Sequence, residues 1–199
     1  MTPFIQKDFL SPQECNTIMR YHQLLINQGE KPITQKNGTF WAKMGDPYLD
    51  ALGLEYSGKA GRRLEKKVSL SYSYLKKSTK GCAMNWHRNR YECEYVVYIQ
   101  ISDNHWPIYF LKDQDNPYIE GEQDTADELI AMQGDAIFFK GAEHTHARRY
   151  LKDMFSTGLS LNYVDKDGYL DTKDERSSYG DNYKTFKEYT RHGAWEIES

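Results

Sequence analysis

The apolar residues Phe4, Ile5, Phe9 and Leu10 predict a short N-terminal strand that leads into a helix. Between residues 15 and 26 apolar side chains recur every three or four positions, which predicts an amphipathic helix ending near Gly29. The preceding Ser11, Pro12 and Glu14 predict a capping box with proline at the first helical position. A mixed stretch at residues 46–64 predicts a second helix.

From residue 68 onward the pattern alternates, as it does in β-strands. Residues 68–74 would place Val68, Leu70, Tyr72 and Tyr74 on one face and three serines on the other. Six further segments predict strands, at residues 93–101, 106–111, 128–132, 136–140, 144–151 and 158–164. Short strands after N-terminal helices predict a mainly β sandwich or barrel. We assign residues 1–165 to one domain and residues 166–199 to a polar extension, with a candidate helix at 183–190.

Composition narrows the class of protein. The chain has 199 residues, a formal net charge of −3, 39% hydrophobic residues and 14% aromatic residues, which suits a single folded domain. Its mild acidity argues against a nucleic-acid partner, and no apolar run approaches the ~20 residues that span a bilayer. The N-terminus has no apolar signal segment, and the three cysteines form no CxxC pair. We therefore expect a cytoplasmic protein without a membrane partner, and its oligomeric state stays open.

Histidines are the candidate ligands for chemistry. The chain has six, which are His22, His87, His105, His144, His146 and His192. His22 fits a packing role on the first helix, and His105 and His192 lie in polar segments. His144 and His146 are two apart, so on a strand they would share a face. Imidazole binds iron, zinc and copper, but spacing alone is equally consistent with ordinary polar residues at the end of a strand.

Two segments carry a more specific signal. Residues 86–95 read Trp-His-Arg-Asn-Arg-Tyr-Glu-Cys-Glu-Tyr and run into the predicted buried strand at 93–101. Residues 134–148 begin Gly-Asp-Ala and end His-Ala-Arg. In this order they resemble the H-x-D-R-x-x-C-E-Y and G-D-A-x-x-x-x-G-x-E-x-x-H-x-R blocks of the 2-oxoglutarate/Fe(II)-dependent dioxygenases, a superfamily that includes prolyl 4-hydroxylase-like and phytanoyl-type members. Residues 9–15 are also similar to the usual start of such domains. The resemblance implies a double-stranded β-helix, or jelly roll, over residues 4–164.

The resemblance also implies a metal site with an unusual third ligand. It makes His87 the first metal ligand and His146 the second, and it puts Asn89 where the family has a metal-binding aspartate. An amide oxygen carries no charge, so iron affinity should fall. Asn89 is not the small residue that leaves room for chloride in related halogenases. Rescue of the missing charge by Glu92 or Glu94 stays open, and Glu143 fits a role in positioning its loop.

The co-substrate 2-oxoglutarate needs a cation for its distal carboxylate. Many relatives supply one at the start of the last strand, but residues 155–157 contain no base. Arg148 is the best substitute because it shares a strand face with His146, and arginine binds carboxylates through two hydrogen bonds. Tyr72 or Tyr74 could add a hydroxyl. Arg90 could meet a substrate carboxylate, although we favour a structural role for it.

Three hypotheses follow. The leading one is an oxygenase that uses Fe(II), 2-oxoglutarate and O2 to hydroxylate a small molecule or an exposed side chain, with release of succinate and CO2. The second is a degenerate jelly-roll module that binds a metal or an organic acid without turnover. The third is a jelly-roll protein whose histidines hold zinc or another metal in a different role. Asn89 is the residue that separates them.

Overall fold

A computed structural model describes residues 1–115 and 125–167 of the chain. These residues form two α-helices, α1 (Pro12–Asn27) and α2 (Pro47–Leu64), and a 3₁₀ turn at Tyr91–Cys93. Their strands are β1 (Phe4–Gln6), β2 (Ile33–Gln35), β3 (Gly38–Met44), β4 (Val68–Thr79), β5 (Met84–His87), β6 (Tyr95–Gln100), β7 (Ile108–Leu111), β8 (Ala126–Leu129), β9 (Ala136–Phe139), β10 (His146–Arg148) and β11 (Phe155–Asp165). The candidate helix at 183–190, His192 and nearly all of the predicted extension lie outside the described residues.

Both helices begin at side-chain caps. In α1 the Ser11 hydroxyl accepts a hydrogen bond from the Glu14 backbone N–H, and the Glu14 carboxylate accepts one from the Ser11 backbone N–H at 2.7 Å. This is the capping box that the sequence predicts. In α2 the Asp46 carboxylate accepts from the backbone N–H groups of Tyr48 and Leu49, at 3.0 and 3.3 Å. Neither described helix is long and apolar enough to cross a membrane.

The strands form two antiparallel sheets. One has seven strands in the order β1-β9-β6-β11-β4-β3-β2, and the other has four in the order β5-β10-β7-β8. From β4 to β11 the chain passes repeatedly between the sheets, as a jelly roll requires. This confirms the predicted fold class, a mainly β double-stranded β-helix core with N-terminal helices.

The seven-stranded sheet has a packed core on each face. On one face, Val97 and Ile99 of β6 share a buried cluster with Ile18 of α1 and Leu49 of α2. On the other face, residues of β6, β7 and β9 form a second cluster, including Val96, Tyr98, Ile108, Phe110, Ile137 and Phe139. Alternate residues of one strand therefore serve the helix layer and the space between the sheets.

A β-bulge in β4 changes which face of the sheet its side chains occupy. Asn162 of β11 pairs with Tyr72, whereas the next residue, Tyr163, pairs with Leu70, so β4 carries one extra residue here. Leu70 consequently packs with the helix-side core, and Tyr72 packs with the core between the sheets. The prediction that Leu70 and Tyr72 share one face is wrong, because uninterrupted alternation does not include a bulge.

Several predicted elements differ in extent. The predicted strand at 144–151 is only His146–Arg148, so His144 lies in the preceding turn and does not share a strand face with His146. The predicted strand at 128–132 is Ala126–Leu129. The β2–β3 hairpin and the short strand β5 were not predicted, since their pattern is weak and their stability comes from pairing with distant strands.

Candidate metal and co-substrate site

The candidate site is a cavity of about 430 Å³ between the two sheets. The residues predicted to bind metal and co-substrate all line it, namely His87, Asn89, His146, Arg148, Tyr72 and Tyr74. They come from strands β4, β5 and β10 and from the loop after β5. The jelly roll thus brings together side chains that lie up to 76 positions apart in the chain, from Tyr72 to Arg148.

Strand register brings the two histidines together. His146 of β10 is the direct partner of His87 of β5, and their ring centroids lie 4.4 Å apart. The Nδ1 atom of His87 is 2.8 Å from the carbonyl oxygen of Asn85, and the Nδ1 atom of His146 is 2.8 Å from the carbonyl oxygen of His144. A carbonyl can only accept, so Nδ1 carries the proton in each ring. The neutral imidazole then offers the Nε2 lone pair, the form in which histidine binds metals.

Burial keeps both imidazoles neutral. His146 packs edge-on to the Phe139 ring at 4.8 Å between centroids. Desolvation lowers the pKa of His146 well below its usual value, and the neighbouring His87 lowers it further. Desolvation also lowers the pKa of His87, against the opposing effect of hydrogen bonds that include one to the Asn89 side chain. Neutral rings can bind a divalent cation without first losing a proton.

Backbone contacts fix the position of Asn89. Its N–H donates to the Gly141 carbonyl at 2.8 Å. Gly141 has no side chain, and a Cβ there would lie 2.9 Å from Nδ2 of Asn89 and would also collide with the Cys93 carbonyl. Two neutral imidazoles and one amide oxygen form a donor set that suits Fe(II) or another transition metal, with one negative charge fewer than the usual two-histidine, one-carboxylate triad.

The glutamates considered as replacements lie elsewhere. Glu94 accepts a hydrogen bond from the Asp165 N–H at 2.9 Å, and Glu143 pairs with Lys140 at 2.8 Å. Neither they nor Glu92 line the cavity, and no aspartate or glutamate is among its described lining residues. Across residues 1–115 and 125–167, no three His, Cys, Asp or Glu side chains gather into a metal-binding group. No described carboxylate therefore takes the place of the aspartate that the family motif has at position 89.

Arg148 is buried between aromatic rings. Its guanidinium lies 4.2 Å from the centroid of Tyr98 and 4.7 Å from that of Trp106, and its Nη1 donates to the Trp106 carbonyl at 3.0 Å. Arg149 instead lies over Tyr109 at 4.5 Å and does not line the cavity. This agrees with the alternation of side chains along a strand, which directs Arg149 away from the cavity that Arg148 lines.

The two candidate tyrosines have different surroundings. The Tyr72 hydroxyl is 2.9 Å from Sγ of Cys93 and accepts from Nη2 of Arg90 at 3.2 Å, so it lies beside the segment that follows Asn89. Tyr74 lies in the row that joins Met44 of β3 and Ser160 of β11. Burial raises the pKa of Tyr74 to about 12, and it raises that of Tyr72 well above the usual value. Both hydroxyls therefore keep their protons and can donate.

Lys76 is a cavity residue that sequence reasoning missed. Its ammonium lies 4.0 Å from the centroid of Phe40, and the side chain lines the cavity with Arg148. Burial lowers its pKa to about 8, and the nearby charge of Arg148 contributes to the shift. The signal was present in the sequence. The alternation that places Tyr72 and Tyr74 on one face continues to Lys76 and Ser78, and all four line the cavity.

No protein-family model matches the chain, and no curated protein matches its sequence. Solved structures match its fold. HygX from Streptomyces hygroscopicus, with nickel, 2-oxoglutarate and hygromycin B bound, has a TM-score of 0.64 at 11% identity, over 83% of each chain. The α-ketoglutarate-dependent epimerase SnoN from nogalamycin biosynthesis has a TM-score of 0.63 at 10% identity, over 82% of this chain and 78% of that one. A 2OG-Fe(II) oxygenase family oxidoreductase from Burkholderia pseudomallei has a TM-score of 0.59 at 13% identity, over 81% of this chain and 85% of that one. This chain therefore has the fold of the 2-oxoglutarate/Fe(II)-dependent oxygenases.

Proposed function

We propose that this protein is a 2-oxoglutarate- and Fe(II)-dependent oxygenase with an amide in place of the metal-binding carboxylate. In this proposal His87, His146 and Asn89 hold the metal, and Arg148 binds the distal carboxylate of 2-oxoglutarate. The observation that carries it is the direct pairing of His87 with His146 in a cavity that also contains Arg148. The relation to HygX, which has been solved with nickel and 2-oxoglutarate bound, supports the same choice of cofactors.

The spacing along β10 suits the length of the co-substrate. His146 and Arg148 are two residues apart on one strand face, which corresponds to about 6.6 Å along the strand. A five-carbon dicarboxylate is of comparable length, so its keto-acid end can reach the metal position while the distal carboxylate reaches Arg148. Tyr74 and Tyr72 are then candidates for a further hydrogen bond.

Each part of the chain has a defined task in this proposal. Bound Fe(II) with 2-oxoglutarate would supply oxygen activation, with release of succinate and CO2. The carbonyls of Asn85 and His144 orient the two imidazoles by accepting from their Nδ1–H groups. Val96, Ile108 and Phe139 line the cavity and exclude water from the reacting centre.

The cavity favours a small-molecule substrate or an exposed side chain. Its volume of about 430 Å³ falls within the usual range of small-molecule pockets. A structural neighbour, HygX, has been solved with the small molecule hygromycin B bound. We therefore infer that the reaction is the hydroxylation, or a related oxidation, of such a compound.

Anaerobic titration of the metal-free protein with Fe(II) and 2-oxoglutarate tests this proposal. We expect a weak visible charge-transfer band, followed by succinate after O2 is admitted. His146→Ala, which removes a ligand, should give neither signal. Binding of 2-oxoglutarate without succinate formation, with and without candidate substrates, would instead support the second hypothesis, a jelly-roll module that holds an organic acid. The absence of carboxylates from the described cavity lining is the observation that favours this alternative.

A further inference from the structure

Two cations in the cavity, the buried Arg148 and the half-buried Lys76, have no carboxylate partner among the described residues. Lys76 contacts the Phe40 ring, and Arg148 contacts two rings and one carbonyl. Neither takes part in an ion pair within residues 1–115 and 125–167. Burying a cation without an anionic partner is unfavourable, so buried charges are almost always paired. Two cations that line one cavity without an ion-pair partner among the described residues therefore indicate a site for an anion.

Lys76 and Arg148 line the cavity from opposite sheets. Lys76 lies in the seven-stranded sheet, directly opposite Gly158 of β11, and Arg148 lies in the four-stranded sheet. Gly158 has no side chain to fill the space, and a Cβ there would collide with the Tyr98 ring on which Arg148 rests. Ser78 and Ser156 form the next paired row and also line the cavity. Two cations and two hydroxyls thus surround a space of the right chemistry for a carboxylate.

The cavity as a whole has too little negative charge for a bare cation. Asn89 contributes a dipole rather than a charge, and the described lining includes Lys76, Arg90 and Arg148 but no aspartate or glutamate. A divalent metal that enters alone meets a positive field in a partly buried space. A metal that enters with a dianion forms a complex whose charges are balanced.

We propose that the cavity binds a dicarboxylate in the absence of metal, between Lys76 and Arg148, and that a divalent metal binds appreciably only together with it. The choice of 2-oxoglutarate as the natural dicarboxylate rests on the proposed function. The anion site itself rests on the two unpaired cations. Lys76 is then a binding residue, and the anionic co-substrate replaces the charge that Asn89 does not supply.

Calorimetry on the full chain after chelator treatment tests the first part. We expect 2-oxoglutarate to bind, and glutarate to bind comparably because it has both carboxylates but lacks the keto group that chelates metal. Pyruvate, with a single carboxylate, should bind far more weakly. Failure of both dicarboxylates to bind the metal-free protein would overturn the proposal.

Substitution of Lys76 tests the residue. Lys76→Met should weaken glutarate binding about ten-fold or more, the usual effect of losing a charge-assisted hydrogen bond. Lys76→Arg keeps the charge and should retain glutarate binding. Retained binding would show that the loss in Lys76→Met comes from the missing charge and not from a folding defect. Lys77→Met is a matched control, because Lys77 lies next along β4 but contacts the Trp41 and Phe155 rings and does not line the cavity. Equal losses in Lys76→Met and Lys77→Met would contradict the assignment.

A Mn(II) titration followed by electron paramagnetic resonance tests the second part. We expect 2-oxoglutarate to increase the affinity for Mn(II) about ten-fold or more. Mn(II) should increase the affinity for 2-oxoglutarate by the same factor, because coupling between two sites is reciprocal. Equal Mn(II) affinity with and without 2-oxoglutarate would overturn the coupling. These outcomes are distinct from failure of the proposed function. Metal-free dicarboxylate binding without succinate formation would reject the oxygenase and leave the anion site intact.

Discussion

His146 lies directly opposite His87 across the β5–β10 pair, and the centroids of the two imidazole rings are 4.4 Å apart. Each ring uses the same local hydrogen bond, from Nδ1 to the carbonyl of the residue two positions earlier. The register sets the distance between the rings, and the repeated hydrogen bond sets their tautomer. Both neutral imidazoles therefore keep a free Nε2 lone pair, the atom that a metal ion would bind.

Asn89→Asp should increase metal affinity in the absence of 2-oxoglutarate. A carboxylate at this position adds a full negative charge next to His87, and in a partly buried site we expect about a ten-fold or greater gain. Mn(II) titration monitored by electron paramagnetic resonance measures the change. Asn85→Asp makes the same chemical change on an exposed side chain of β5 and should have little effect. Unchanged affinity in Asn89→Asp would remove Asn89 from the ligand set.

Gly141→Ala should disturb the third ligand and destabilise the fold. The new Cβ would press on Nδ2 of Asn89 and on the Cys93 carbonyl, so the loop must shift at a cost of about 1–3 kcal/mol. Chemical denaturation measures this change in the free energy of unfolding. Gly58→Ala is the matched control. It lies within α2, where a Cβ meets only the far end of Arg62 at 3.8 Å, and it should be neutral or slightly stabilising. An unfolding curve of Gly141→Ala equal to that of the wild type would contradict the close approach of Asn89 and Cys93 to Gly141.

Gly158→Ala should weaken dicarboxylate binding. Its Cβ would displace the Tyr98 ring, which stacks against Arg148 at 4.2 Å from ring centroid to guanidinium. Moving Tyr98 moves Arg148, which we propose binds the distal carboxylate, so the affinity for glutarate should fall about ten-fold. Calorimetry on folded protein separates this loss from any change in stability. Glutarate affinity equal to that of the wild type would indicate that the anion site does not depend on Tyr98.

Dicarboxylate affinity should depend on pH through Lys76. Burial lowers the pKa of Lys76 from 10.5 to about 8 in the ligand-free protein, and the nearby charge of Arg148 adds to this shift. Lys76 is therefore charged below about pH 8 and loses its proton above it, whereas glutarate stays fully ionised. Glutarate affinity of the metal-free protein should fall as pH rises from 8 to 10. Lys76→Arg should remove this dependence, because arginine keeps its charge across this range. The same decline in both proteins would assign it to another group.

Local signals predicted the parts of the molecule that depend on near neighbours in the chain. The capping box needs only Ser11 and Glu14, three residues apart, and the structure contains it. Most strands of the jelly-roll core follow from alternating or continuous apolar segments, and the resemblance to the oxygenase motifs selected His87 and His146. Local signals did not predict the length of β10, because a strand of eight residues was predicted and only three residues form it. A short strand is defined by its hydrogen-bonded partners rather than by its own residues.

The sequence by itself determined the capping box of α1 and much of the succession of strands, because these depend on spacing within short segments, and its resemblance to the oxygenase motifs selected the residues of the candidate site. Only the tertiary structure decided which faces and charges meet. A bulge opposite Asn162, ninety positions along the chain, turns Tyr72 away from Leu70 and towards the cavity. The packing of the two sheets likewise brings Lys76 near Arg148 and leaves both without a carboxylate among the described residues. Such contacts join distant strands, so no pattern within one segment of the chain specifies them.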